Sequence, residues 1–507
     1  MPPPHNRTAS ALAARAAGHP RQRPIPAMPP VDPESPVGVA ASSTSWRPLS
    51  LLVGLAFFME QLDSTIIAPA IPDIAMAFGV APLSLNLTMT VYLLCAVVFI
   101  PTGGHLAARW GTRTVFRAAI WLFVASSVLC ALAPDLTTLA VARALQGVGA
   151  ALMVPVGRMA IVHSAPRGQL VLALAWMITP AMLGPLLGPP LGGLITTWWS
   201  WHGIFLINVP IGLAGLWAAE RWMPQIRQPA EARFDLLAWT LLALILALVI
   251  GALEAVRHVR DTAGLAWAAV IGTAACAGLV LAYRHRSRRA VPLLAFDLLR
   301  VTTFRTSFWA GALVRVGYGA LPFLLPLMLQ VALGFSALQS GLALLASGAV
   351  AFVTKTQTAG MLRRWGFRRV LLINGVLCAA GLAACATFQA SWGLVAIALV
   401  ASVAGFFRSI QFNALAAIAY SGLRPQQVAP ATTLNTMGQQ LGVTLGISLS
   451  ALVVDLAAQW GGRAQPAAID FAGAFGLVAL TALAALPHYL RLPAHAGADL
   501  SGHRAPV

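Results

Sequence analysis

Charge is what this 507-residue chain lacks most. Only 9% of its residues are charged, whereas soluble globular proteins carry about 25%. Hydrophobic residues make up 58%. A soluble fold has no interior large enough to hide that much apolar surface, so lipid must serve as the solvent. Acids are scarcer than bases, fifteen against thirty-three, for a net charge of +18. All the bases but Lys355 are arginine. They are scattered through short loops and not gathered on one face, which argues against nucleic acid as a partner. Cysteine is nearly absent. Cys95, Cys130, Cys276, Cys378 and Cys385 all fall in apolar segments without metal-ligand spacing, so neither a disulfide framework nor a metal centre is expected. No histidine lies near the middle of an apolar segment, which excludes a buried histidine relay. The chain also lacks a nucleotide-binding loop and a nucleophile motif. Neither an enzyme, a cofactor nor an ATP-driven pump is expected.

What the chain does have is a repeat. Arg109-Trp110-Gly111-Thr112-Arg113 recurs 255 residues later as Arg364-Trp365-Gly366-Phe367-Arg368, each copy in a short basic break between long apolar segments. A repeated hydropathy pattern with matching loops marks a duplicated membrane domain. A span needs about 20 mostly apolar residues. That rule places fourteen, at 48–70, 84–105, 114–132, 136–157, 168–194, 203–220, 236–253, 264–283, 304–331, 337–357, 370–388, 392–418, 432–456 and 469–490.

With both termini inside, the inward segments carry twenty-six Lys and Arg and the outward segments three, Arg257, Arg260 and Arg463. The positive-inside rule therefore places both termini and both repeated breaks in the cytoplasm. The first copy joins spans 2 and 3, the second spans 10 and 11. Six-helix units must then begin at spans 1 and 9, with spans 7 and 8 inserted. The expected plan is a cytoplasmic tail over 1–46, a bundle over 47–222, the two inserted helices and a basic loop over 223–303, a second bundle over 304–491 and a tail over 492–507. The basic loop holds Arg284, Arg286, Arg288, Arg289 and Arg300, with Arg305 just beyond. It reads either as a topology anchor or as a surface for anionic lipid headgroups.

The motifs along spans 1 to 6 resemble the major facilitator superfamily, and within it the fourteen-helix drug:proton antiporters of the EmrB/QacA type. Leu62-Asp63-Ser64-Thr65-Ile66-Ile67-Ala68-Pro69-Ala70-Ile71-Pro72 resembles the family's LDxTIVNxAxP, with Ala68 in place of asparagine. Gly104 to Arg113 resembles GxLaDRxGRR, with Ala108 where aspartate is usual. Arg143-Ala144-Leu145-Gln146-Gly147 resembles RxxQG, and the run from Gly184 to Gly193 resembles the antiporter motif GxxxGPxxGG. Trp201 to Pro210 resembles WRWIFxINxP. The ordered set is far more specific than any one motif. Spans 9 to 14 match more loosely. The resemblance implies an all-α membrane protein with the major facilitator fold: two pseudo-symmetric six-helix bundles plus two inserted helices.

Glu60 and Asp63 are the only acids deep in a span, three residues apart on one helix face. A charge at mid-membrane costs about 2.5–3.5 kcal/mol on insertion scales. Such an acid either exchanges a proton or is fixed in an ion pair with an arginine on another helix. The former reading is preferred, with Asp63 first. Arg143, Arg315 and Arg408 are the deep cations, none of which can release a proton. The resemblance implicates Arg143 in proton transfer. Arg315 reads either as a substrate contact or as a partner for backbone broken near Pro322 and Pro326. With Arg408, Gln411, Asn435 and Gln439 it forms the candidate substrate cavity.

Gly184, Gly188 and Gly192 make a face on which another backbone can pack closely, and Pro189 bends the helix beside Gly193. The resemblance makes this stretch a seal against leak, and makes Gly104, Arg109, Gly111, Arg113, Arg364, Gly366 and Arg368 cytoplasmic gates. With Ala108 in place of the acid, the first gate is weaker or is closed by a different acid.

The expected function is proton-driven export of small hydrophobic or amphipathic compounds from a bacterial plasma membrane. The partners are then the substrate, protons and the lipid bilayer. An adjacent gene for a periplasmic adaptor would indicate a tripartite pump. The alternatives are a dedicated exporter of one metabolite or antibiotic, or a proton symporter. An uncoupled channel or scaffold fits the deep acids and duplicated gates less well.

Overall fold

A computed structural model describes residues 46–227, 234–257, 262–286, 295–501 and 503. The tail assigned to 1–46 lies outside them apart from Trp46, and so do Arg260, Arg288 and Arg289. Among the described residues every regular element is helical. Lipid offers no hydrogen-bonding partner to backbone, so a spanning segment must satisfy its own N–H and C=O groups.

The long helices are α1 (Trp46–Ile66), α2 (Asn86–Trp110), α3 (Thr112–Ala131), α4 (Leu136–Ser164), α5 (Leu170–Trp198), α6 (Asn208–Trp222), α7 (Leu236–Arg257), α8 (Thr262–Arg286) and α9 (Thr302–Leu327). After them a continuous run, Ala337–Cys385, breaks at Gly366 into α10 (337–365) and α11 (367–385). The series ends with α12 (Leu394–Ile418), α13 (Pro425–Trp460) and α14 (Ala468–Leu483). Among the described residues thirteen helices are long and apolar enough to cross a membrane. The eighth expected span coincides with α8, where the apolar stretch found is the shorter Ala269–Gly278.

The repeated pentapeptide produces a repeated turn. Gly111 and Gly366 have φ of 91° and 72°, a region that a residue with a Cβ enters at a cost. Each break is thus one glycine wide. At a few other helix starts a side chain caps the backbone. Asp135 accepts a 2.8 Å hydrogen bond from Thr138 N–H, and that bond holds its carboxyl below the usual range. Ser336 and Gln339 form a reciprocal box at the start of α10. Proline interrupts α5 at four places, and in α9 Pro322 and Pro326 precede a π-turn over Met328–Ala332.

Among the first six helices, α1 packs on α5, and α4 lies against both α2 and α3. In the later set α9 packs on α13 and α14, and α12 lies against the run containing α10 and α11. The two sets meet where α5 touches α10 and α2 touches α13. Helix α7 pairs with α8 and leans on both α2 and α13. There Trp239 Nε1 donates to the Val98 carbonyl at 2.8 Å. Leu246 packs with Val97, Val98 and Met437.

Candidate functional site

Asp63 sits one turn from the end of α1 and has no exposed surface. Three donors from two other helices converge on it. Arg143 Nη1 of α4 donates to Oδ2 at 2.5 Å, Gln146 Nε2 one turn later on α4 to Oδ1 at 2.8 Å, and Asn208 Nδ2 of α6 to Oδ1 at 2.8 Å. Ser127 of α3 accepts from Gln146 at 2.7 Å and from Asn208 at 3.3 Å. The Arg143 guanidinium lies 4.2 Å from the centre of the Tyr92 ring on α2. Five helices therefore meet at one ion pair whose side chains are at most 1% exposed. Breaking such a buried pair by removing one partner costs about 3–5 kcal/mol, because the other charge is left without compensation.

In this structure Asp63 is held in an ion pair with Arg143, the arrangement named as the alternative to an exchanging acid. Glu60 differs. It is half-buried, and its Oε2 is enclosed without a hydrogen-bond partner. Tyr92 Oη, Arg143 Nε and Asn208 Oδ1 are likewise buried and unpartnered, so the network has spare capacity for a proton or a water.

The glycine face of α5 grips α1 beside these acids. A Cβ at Gly184 would stand 2.7 Å from Gln61 Cβ and 2.8 Å from Leu62 N. At Gly188 it would collide with Thr65 Oγ1, and at Gly192 with the Ile66 carbonyl. Gly193 instead abuts Ala337 and Leu338 at the start of α10, whose Gly341 returns against Pro189 and Pro190. Helix α5 therefore binds α1 through one face and α10 through another. Gln330 Nε2 fastens the same end by donating to the Pro69 carbonyl and to Ser340 Oγ, both at 3.0 Å.

Among the described residues no acid bonds to the first repeated turn. The segment following α6 does so. Gln225 Oε1 accepts from the backbone N–H of Arg113 (3.0 Å) and Thr114 (3.3 Å), and its Nε2 donates to the Trp110 carbonyl and to Thr114 Oγ1, both at 3.0 Å. Arg113 Nε donates to the Met223 carbonyl at 2.6 Å, and Thr112 Oγ1 to that of Pro224 at 2.6 Å. An amide and backbone carbonyls thus hold the turn where Ala108 leaves no acid. Arg109 and Gly104 are exposed, and Gly104 has open space around it. At the second turn His503 Nδ1 lies 3.0 Å from the Arg363 carbonyl and its ring covers Gly366. Arg364 lies over its neighbour Trp365, at 5.8 Å, and Arg368 is half-buried.

The expected cavity residues separate. Arg315 donates to the Gly311 carbonyl at 3.3 Å and stands 4.7 Å from the centre of the Phe412 ring. It thus turns toward the start of α9, away from the backbone at Pro322 and Pro326. Arg408 lies 6.0 Å from the centre of the Tyr318 ring, and Tyr318 meets Phe412 edge-on at 6.2 Å. Gln411 is fully buried and satisfied by Asn374 at 2.8 Å and the Tyr489 hydroxyl at 2.9 Å. Its side chain joins α12 to α11 and to the Tyr489 helix end. Asn435 is buried and Gln439 half-buried on one face of α13.

Gln146 falls within the RxxQG-like motif and Asn208 within the Trp201–Pro210 motif, and neither motif assigns them a role. A signal was present, since Gln146 is one turn from Arg143 on a single helix. Gln225 gave none. Among the described residues no group of three or more His, Cys, Asp or Glu side chains is placed to hold a metal.

The family model of the Major Facilitator Superfamily matches residues 53–296 and 307–506. A Klebsiella pneumoniae protein provisionally named multidrug resistance protein MdtD is 33% identical over 451 residues, covering 88% of this chain and 95% of its own. Its Escherichia fergusonii namesake is 35% identical over 417 residues, covering 82% and 87%. Among solved structures, a bacterial homologue of the human lysosomal transporter Spinster, inward-facing and unoccupied, superposes with a TM-score of 0.63 at 13% identity over 92% of this chain and all of its own. A D-xylose–proton symporter superposes with 0.62 at 16% identity, covering 89% and 98%.

Proposed function

This chain belongs to the major facilitator superfamily and is a multi-pass membrane transporter, not an enzyme, and from that premise we propose that it exports multiple drug-like compounds in exchange for protons. The observation that supports coupling is the buried Asp63–Arg143 pair with the unpartnered Glu60 one turn away. Glu60 takes the proton first, since a charge on its enclosed oxygen has no donor to balance it. Asp63 is the second coupling group, freed only when the Arg143 contact opens. Arg143 keeps its charge throughout and pulls on whichever partner is ionised. Opening the Asp63 contacts releases α1 from α4 and α6. The helix ends meeting at Gly193, Gly341 and Gln330 form the seal on the outward side.

Export of several compounds is carried over from the named relatives. The cavity is assigned to Arg315, Arg408, Asn435 and Gln439, with Tyr318 and Phe412 as its aromatic walls. The reading places the protein in a bacterial plasma membrane with two bundles, 47–222 and 304–491, around an inserted pair.

The direct test is uptake of ethidium and of an anionic fluorophore into inverted vesicles carrying an imposed pH gradient. Uphill, gradient-dependent accumulation of either is expected. Accumulation that ignores collapse of the gradient would overturn the coupling.

Topology is tested separately. Reporter fusions after Ala133 and Arg463 are expected to read outside, and those after Arg113 and Arg368 inside. An inside reading at Arg463 would break the arginine-based orientation.

The Gln225 clamp is testable as well. Net hydrogen bonds contribute about 1 kcal/mol each, and less when exposed. Gln225→Ala is therefore expected to raise trypsin cleavage after Arg113 in inverted vesicles by roughly fivefold. Unchanged cleavage would leave Gln225 without a part in holding the turn.

A further inference from the structure

One cationic cavity has no part in the transport reading. It has a volume of about 350 Å³ and is lined by Arg305, Thr306, Trp309, His488 and Arg491. Two elements build it. Arg305 and Trp309 project from successive turns of α9, with Thr306 beside them. His488 belongs to the short helix Leu486–Leu490, and Arg491 follows it directly. No carboxylate lines the space, and neither arginine has an ion-pair partner among the described residues. His488 Nδ1 is buried at the cavity's edge, within reach of the Ala484 carbonyl one turn back. Two guanidinium groups and an imidazole thus share a pocket that contains no negative group, an arrangement that favours a bound anion.

The position narrows the class of anion. Arg305 is three residues from the start of α9, and Arg491 follows the last apolar helix. The cavity therefore sits at the level where a helix leaves the hydrocarbon. Trp309, one turn further in, is 49% exposed, and tryptophan prefers that interface. Trp309 lines the cavity beside the two arginines, so an apolar surface and positive charge adjoin at that level. Basic pockets of this kind between helix ends suit phospholipid headgroups.

We propose that this cavity binds the phosphate group of an anionic phospholipid, with Arg305 and Arg491 as its cationic jaws, Thr306 Oγ1 and His488 as hydrogen-bonding partners, and Trp309 against the glycerol and upper acyl chain. Only the assignment to the cytoplasmic leaflet rests on the proposed topology; the site itself does not depend on what the protein exports.

Native mass spectrometry of the full chain, released from vesicles of equal phosphatidylglycerol and phosphatidylcholine, tests it. The wild type is expected to retain one phosphatidylglycerol in preference to phosphatidylcholine. Each arginine near a headgroup contributes about fivefold, so Arg305→Gln with Arg491→Gln should weaken that retention roughly thirtyfold. Arg305→Lys with Arg491→Lys keeps the charge and should retain the lipid, which separates loss of the site from loss of the fold. Equal retention of both lipids by the wild type, or undiminished phosphatidylglycerol on the double glutamine variant, would overturn the proposal. A parallel arm adds inorganic phosphate to lipid-stripped protein. Phosphate bound tightly in place of phosphatidylglycerol would identify a soluble anion as the ligand and overturn the lipid assignment.

Discussion

Glu60→Gln is expected to lower transport driven by a pH gradient by about a hundredfold, the scale of losing a positioned proton-transfer group, while leaving expression and thermal stability near wild type. The stability half follows from its surroundings. Its Oε2 has no hydrogen-bond partner to lose, and an amide fills nearly the same volume. Asp63→Asn should abolish coupled transport to the same degree but should also destabilise the protein by about 3–5 kcal/mol, since the fully buried Arg143 loses its counter-charge. Adding Arg143→Gln to Asp63→Asn should recover much of that stability without recovering transport. Initial rates of uphill fluorophore uptake, paired with detergent melting curves, separate the effects. Wild-type uphill rates in Glu60→Gln would remove Glu60 from the cycle. Equal melting temperatures for Asp63→Asn and the wild type would contradict the ion pair as described.

Gly188→Leu is the second large effect. The added Cβ alone would collide with Thr65 Oγ1, which itself donates to the Gln61 carbonyl at 2.9 Å. The rest of the leucine has no space between α5 and α1. The helices must separate along the turn that carries Glu60 and Asp63, and overpacking of this kind costs about 1–3 kcal/mol. Export is expected to fall at least about tenfold in protein matched for expression, at a cost of that size. Cysteines placed along the cavity should shift in accessibility from the two sides of the membrane. The collision is with a side-chain oxygen, so Gly188→Ala should be partly tolerated. At Gly192 the obstacle is the Ile66 carbonyl of the backbone itself, so even alanine should impair export. Unchanged labelling and export in Gly188→Leu would reduce the glycine face to ordinary packing and withdraw its support for antiport.

Where the chain is helical, where most of its apolar segments lie and where the two glycine turns fall could all be read from the sequence; only the eighth apolar segment proved shorter than expected. Each is a local property. An apolar run of the right length meets lipid favourably whatever its neighbours are, and only glycine enters the positive-φ turn of RWGxR without penalty. The family was legible for the same reason, because its motifs are short and ordered along the chain. Partnerships were not legible. Asp63 and Arg143 are 80 residues apart in sequence, and the choice between a free acid and a fixed pair depended on how α1, α4 and α6 pack. Gln225 holds the Arg113 turn across more than a hundred residues, and nothing in its own neighbourhood announces the task. Gln411 looked like a cavity residue until Asn374 and Tyr489 enclosed it. The cationic cavity needed α9 and the Leu486–Leu490 helix side by side. Hydropathy is decided residue by residue against the solvent, whereas a hydrogen bond or a pocket exists only once tertiary packing has brought distant helices together.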